Sequence, residues 1–183
     1  MITRLSDTPK QHQAWNRGRY RSRNNEHIAN AEHGYPTYLP LSLPPVVMPI
    51  HDSVHYNINS STAAREWAAL FPEGGGFVYL GSEYQQFGIS MFHQLHCLEA
   101  VRRAILDKSA SQHTQHCLSY LRQMILCRAD LRLEPVIEPY LRREVDASGD
   151  RTCRDWTLVY QAVEENHAET KDARRQAIKL EQR

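Results

Sequence analysis

Apolar positions along the second half of the chain recur at helical spacing. Leu95, Leu98, Val101 and Ile105 predict a helix that starts between Phe87 and Ser90 and runs to about Leu106, with Arg102, Arg103 and Lys108 on its wet edge. Tyr120, Leu121, Met124 and Ile125 mark a second helix from Ser111–Thr114 to about Ala129, with Pro135 and Pro139 preventing further extension. A third, from Trp156 to about Lys179, ends in a charged tail. Ahead of these, Ser61 or Thr62 can cap a short helix that turns Trp67, Leu70 and Phe71 inward and stops before Pro72. Gly74-Gly75-Gly76 then makes a turn. No Lys-Ser or Lys-Thr follows it, so it is not a phosphate loop. Phe77 to Leu80 is a candidate strand. Pro36, Pro40, Pro44, Pro45 and Pro49 hold residues 36–50 extended, as a strap over a core. Residues 1–35 are polar, carry Arg17, Arg19, Arg21 and Arg23, and lack periodicity, which predicts a flexible lead-in. The expected architecture is mainly α: a small helical domain over 36–183 with a few short strands and an extended proline-rich N-terminal segment.

Composition narrows the function classes. With 183 residues, 41% of them hydrophobic, the chain can support one domain with its own core. Its formal net charge of +1 gives no electrostatic reason to expect nucleic acid. No run approaches the roughly 18 apolar residues that span a membrane, and the N-terminus has no signal-peptide core, so no route into the secretory pathway is visible in these residues. Asn59-Ser60-Ser61 matches a glycosylation sequon, a triplet common by chance. Arg122, Arg128, Arg132, Arg142 and Arg143 give the C-terminal half a basic side, read as a solvated face, with recognition of an acidic precursor peptide or carboxylated substrate as the alternative.

Candidate chemistry is concentrated in a duplicated motif. His93-Gln94-Leu95-His96-Cys97-Leu98 is followed by His113-Thr114-Gln115-His116-Cys117-Leu118. Histidines three apart share one helix face, so each copy presents two imidazoles with a sulfur beside them. His12, His27 and His33 lie in the polar N-terminal region and are read as solvated. Neutral imidazole binds copper, iron or zinc, and three or four histidines with an open position leave room for dioxygen or substrate, whereas a structural zinc site prefers more thiolates. Side chains alone do little oxidative chemistry, so an oxidase needs such a cofactor. The metal candidates are His93, His96 and His116, then His113. Tyr120 and Arg122, beside the second copy, are candidates for placing substrate or for a supporting hydrogen bond. The competing reading makes the histidines hydrogen-bonded core or interface residues.

Cys97, Cys117, Cys127 and Cys153 allow disulfides or thiolate ligands according to compartment. Cys127 and Cys153 flank a proline-containing segment of about 25 residues and are the pair expected to bridge first, worth roughly 3 kcal/mol. Helix geometry raises a difficulty for a shared site. In a tight antiparallel hairpin His93 and His116 stand about 20 Å apart. A common site then requires residues 107–112 to carry the chain back, or two protomers to share it; two half-sites are the third option.

The motifs are similar to those of the UstYa-like proteins of fungal secondary-metabolite pathways. The resemblance is carried by Phe92-His93-Gln94-Leu95-His96-Cys97-Leu98, His116-Cys117-Leu118-Ser119-Tyr120-Leu121-Arg122-Gln123, Cys127-Arg128-Ala129-Asp130 leading to Leu133-Glu134-Pro135, and Cys153-Arg154-Asp155-Trp156, over roughly residues 60–165. It implies oxidative tailoring of a peptide or small molecule by cyclisation, hydroxylation, halogenation or desaturation, with the histidine blocks as active site. Copper is the implied metal and iron the second choice. A homodimer, or a heterodimer with a related chain, is the implied assembly. Relatives usually carry an N-terminal membrane helix, with the catalytic domain on the lumenal side. Two departures stand out: Arg151 occupies a position that is often histidine, and Leu131-Arg132 replaces a small hydroxyl pair. They keep two alternatives in view, a non-catalytic partner subunit and a metal-free cyclase.

Overall fold

A computed structural model of the chain describes residues 35–51, 53–136 and 145–181. The expected lead-in up to residue 34, with its histidines and arginines, and Pro139, Arg142 and Arg143 lie outside the described residues. Eight elements follow in order: strand β1 (Pro45–Ile50), helix α1 (Ala63–Ala68), strands β2 (Phe77–Leu80) and β3 (Gln85–Gly88), helices α2 (Ser90–Leu106) and α3 (Gln112–Arg128), strand β4 (Gly149–Arg154) and helix α4 (Thr157–Glu181). The mainly α expectation holds. Among the described residues no helix is long and apolar enough to cross a membrane.

Both sheets are antiparallel pairs. β1 runs against β4 with Val46 opposite Cys153, and β2 against β3 with Val78 opposite Phe87. Prolines at 45 and 49 are tolerated because each strand of a two-stranded ribbon has a free edge. The strap therefore does lie on the core, through Leu39, Leu41 and Leu43, and its last residues also become a strand.

The core is small: Val78, Phe92, Val159 and Val163, ringed by Leu80, Phe87, Ile89, Met91, Leu95 and Tyr160. It joins β2, the start of α2 and the first turns of α4. Asn166 on α4 fixes the junction by accepting from the Tyr79 amide (2.7 Å) and donating to the Tyr79 carbonyl (2.8 Å), as a further strand would. Arg174 lies over the same tyrosine ring at 3.7 Å. At the glycine turn, Gly76 has φ +85°, and a Cβ there would stand 2.3 Å from Phe92 Cβ. Only glycine supplies both that dihedral and that closeness.

The apolar stripe on α2 differs from the one its spacing suggests. Leu98 and Ile105 are exposed, while Phe92, Cys97 and Arg102 are buried. Arg102, expected on the wet edge, is instead clamped. Its Nε and Nη2 donate to Glu99 at 2.6 and 2.8 Å, its Nη1 donates to the Ile58 carbonyl at 2.6 Å, and Trp67 covers it. α3 starts where Ser111 and Thr114 form a reciprocal capping box and ends with Ala129 in the left-handed region.

Candidate functional site on the helical hairpin

α2 and α3 lie antiparallel, and their facing residues pair in reverse order. Ser90 meets Tyr120, His93 meets His116, and His96 meets His113. α3 thus begins abreast of the middle of α2, not of its end. The connection 107–111 doubles back along the helix by about 15 Å at 1.5 Å per residue. Lys108, with φ 48°, and the Ser109 amide donating to the Ala104 carbonyl make that return. The 20 Å separation of a tight hairpin therefore does not arise, and one chain gathers all four histidines.

Ring centres of His96 and His113 are 5.4 Å apart and those of His93 and His116 are 6.0 Å apart. Tyr120 stacks on His93 at 4.3 Å, and its hydroxyl shares a 2.8 Å hydrogen bond with Ser90 Oγ, which also accepts from Gln94 Nε2. Desolvation between the helices, followed by the neighbouring His116, His96 and His113, lowers the pKa of His93. The imidazole is thereby kept in its neutral, ligand-competent form.

A cleft of about 1120 Å³ opens over this cluster. One side is the α2 face His93, His96, Glu99, Ala100, Arg103, Ala104 and Asp107; His113, Thr114 and Tyr120 of α3 close a second side. Phe71, Phe77, Ile89 and the glycines 75, 76 and 88 form an apolar end. Helical spacing of three and four from His93 to Asp107 was the readable signal for Glu99, Arg103 and Asp107; Phe71, Phe77 and Ile89 reach the cleft through tertiary contacts. Glu99 is shared by Arg102 and Arg103 and serves as their counter-ion.

Spacing of the imidazoles suits a shared ion. Two rings on one metal at about 2.0 Å have centres roughly 4.5–6.3 Å apart, the range observed here. Their aim is different: His93 and His116 lie within 25° of parallel, and among the described residues no three His, Cys, Asp or Glu side chains are grouped to hold an ion as placed. All four histidines are exposed, so their rings can turn without disturbing the core. Donor type, number and spacing fit a copper or iron ion, and ring rotation is what coordination would require.

Other candidates fall away from the cleft. Arg122 is exposed and lies two residues beyond Tyr120, on the opposite side of α3. None of the four cysteines is bridged as placed. Cys127 is exposed on the last turn of α3 and Cys153 sits in the β1–β4 ladder, so the bridge expected between them is not formed. Ion pairs fasten that segment instead: Arg151 reaches Asp130 at 3.1 Å and Glu134 at 2.5 Å. Arg151 lines no part of the cleft. Cys97 and Cys117 are fully buried where the helices cross, and burial with the neighbouring Cys117 thiol pushes Cys97 up to about 12. Such a sulfur stays protonated near neutral pH and is a poor ligand.

Fold and site together define a mainly α protein whose helical hairpin gathers four histidines and offers three of them, with a tyrosine, to an open cleft. The family model described as mycotoxin biosynthesis protein UstYa matches residues 41–166, and the chain belongs to that family. It is also similar to the protein named Oxidase ustYa of Aspergillus flavus, with 36% identity over 122 residues, 62% of this chain and 54% of the relative. The chain thus spans about half the length of the curated relative it matches. No solved structure matches it.

Proposed function

We propose that the chain is an oxidoreductase that tailors a secondary metabolite of the mycotoxin or ribosomal-peptide type, and that His93, His96, His113 and His116 hold a copper ion, with iron as the second candidate. The observation that carries this reading is the pairing of imidazoles from both motif copies at the mouth of one cleft. A relative named as an oxidase supports the reaction class. A bound copper would supply one-electron exchange with dioxygen, chemistry that side chains lack.

Residues of the chain then have separable tasks. Phe71, Phe77 and Ile89 take the apolar portion of a substrate and exclude water from it. Arg103 and Asp107, further along α2 from His96, meet its polar groups. Tyr120 stacks beside His93, and Ser90, which accepts from Gln94, bonds the tyrosine hydroxyl and so fixes the tyrosine against which the His93 ring turns. Cyclisation, hydroxylation, halogenation and desaturation can all begin with hydrogen abstraction from a substrate held this way.

Metal analysis tests the reading. Near-stoichiometric copper or iron in reconstituted protein, lost in a His93→Ala/His116→Ala variant together with oxygen uptake on candidate substrate, is the expected result. No bound metal after reconstitution, with activity retained in that variant, overturns it. The near-parallel stacking of His93, His116 and Tyr120 favours one other reading, in which the histidines are a metal-free scaffold of a cyclase or of a partner subunit.

A further inference from the structure

The site leaves unused two side chains in the middle of the hairpin. Cys97 and Cys117 directly follow His96 and His116, have no exposed surface, and touch each other across the α2–α3 crossing. The ring pairs His93–His116 and His96–His113 lie beside this contact. Cys117 is also the sole buried residue of α3, and among the described residues no side chain of α3 joins the cluster of Val78, Phe92, Val159 and Val163. Leu118, Ile125 and Leu126 on the same helix are exposed. The helix that carries half of the motif's histidines therefore packs on α2 through half-buried side chains, and its one fully buried point of attachment is a thiol facing a thiol.

We propose that Cys97 and Cys117 form a disulfide that locks α3 against α2 in the register pairing His93 with His116 and His96 with His113. Two S–H bonds break and one S–S bond forms; the two electrons and two protons pass to a small-molecule disulfide such as glutathione disulfide, which is reduced to two thiols. Because both sulfurs are buried once the hairpin closes, the exchange takes place during folding. The bridge closes the segment that doubles back through residues 107–111, so it acts on the one connection whose path decides whether the histidines meet. This inference is independent of metal binding and of the reaction catalysed.

The test is to refold the full chain from denaturant in a glutathione redox buffer, with a fully reduced sample as reference. Expected are a mass about 2 Da below the reduced protein, two titratable thiols in place of four, and a non-reduced digest that joins the Cys97 and Cys117 peptides. The oxidised protein should melt about 5–10 °C above the reduced one. Cys97→Ser and Cys117→Ser, taken singly, should each abolish the mass loss. Four free thiols after refolding, a link between Cys127 and Cys153, or a bridge without a rise in melting temperature overturns the proposal. The mass and thiol counts are read on the native sequence, so the outcome does not depend on either variant folding.

Discussion

Replacing Arg102 by methionine removes three hydrogen bonds, two to Glu99 and one to the Ile58 carbonyl, along with the contact to Trp67. Breaking a buried ion pair on one side costs about 3–5 kcal/mol when the surviving charge is stranded. Here Glu99 keeps Arg103, whose Nε donates to it at 2.8 Å, so a smaller loss of about 2–4 kcal/mol is expected. That corresponds to a fall in melting temperature of roughly 5–15 °C. Removing the pair together, as Glu99→Leu/Arg102→Met, should cost less than Arg102→Met alone, because no carboxylate is then left buried without its main partner. The bonds from Arg102 first, and from Arg103 after them, hold the Glu99 carboxyl below its ordinary value despite burial. In the window below the unfolded value of about 4.5 the unfolded chain binds more protons, so the clamp's contribution is present above that pH and is lost as pH falls through the folded value. Urea unfolding of the wild type and both variants at pH 7, and of the wild type and Arg102→Met across about pH 3–5, measures these contributions. An Arg102→Met variant within about 0.5 kcal/mol of wild type, or a double variant less stable than the single one, refutes the clamp.

Three further outcomes follow from neighbouring contacts. Gly76→Ala must accommodate a Cβ 2.3 Å from Phe92 at φ +85°; a loss of about 2–4 kcal/mol in denaturant unfolding is expected, and a variant as stable as wild type would show that the turn relaxes freely. Tyr120→Phe keeps the stack on His93 and deletes the bond to Ser90; stability should fall by about 0.5–1.5 kcal/mol, and an unchanged unfolding midpoint would mean the hydroxyl bond is unimportant. Because the His93 pKa is lowered, the metal-free unfolded chain binds more protons than the folded one just below about pH 6.5. Stability should therefore decline as pH falls from there through the folded value, a decline that His93→Gln should reduce; NMR titration of the His93 ring showing an ordinary or raised pKa would contradict the cause given.

Local chemistry made much of the molecule readable without coordinates. The duplicated His-x-x-His-Cys-Leu motif, the boundaries of α2, α3 and α4, the Gly74–Gly76 turn and strand β2 all follow from short-range spacing, capping and backbone dihedrals, which act within a few residues. The site itself was half readable, because periodicity puts His93 and His96, or His113 and His116, on one face but says nothing about how two faces are set against each other. That was decided by the path of residues 107–111, which slides α3 back along α2. The same limit explains the errors. Arg102 read as solvated because its partners, the Ile58 carbonyl and Trp67, lie some forty residues away; Leu98 and Ile105 read as core although the helix rolls to bury Cys97. The structure does not make the expected Cys127–Cys153 bridge, and the loop length from which it was expected measures only the entropy of closing a ring. Sequence alone determined which chemical groups the chain carries and in what local conformation; tertiary structure alone decided which of them meet, because long-range register is set by the packing of whole elements.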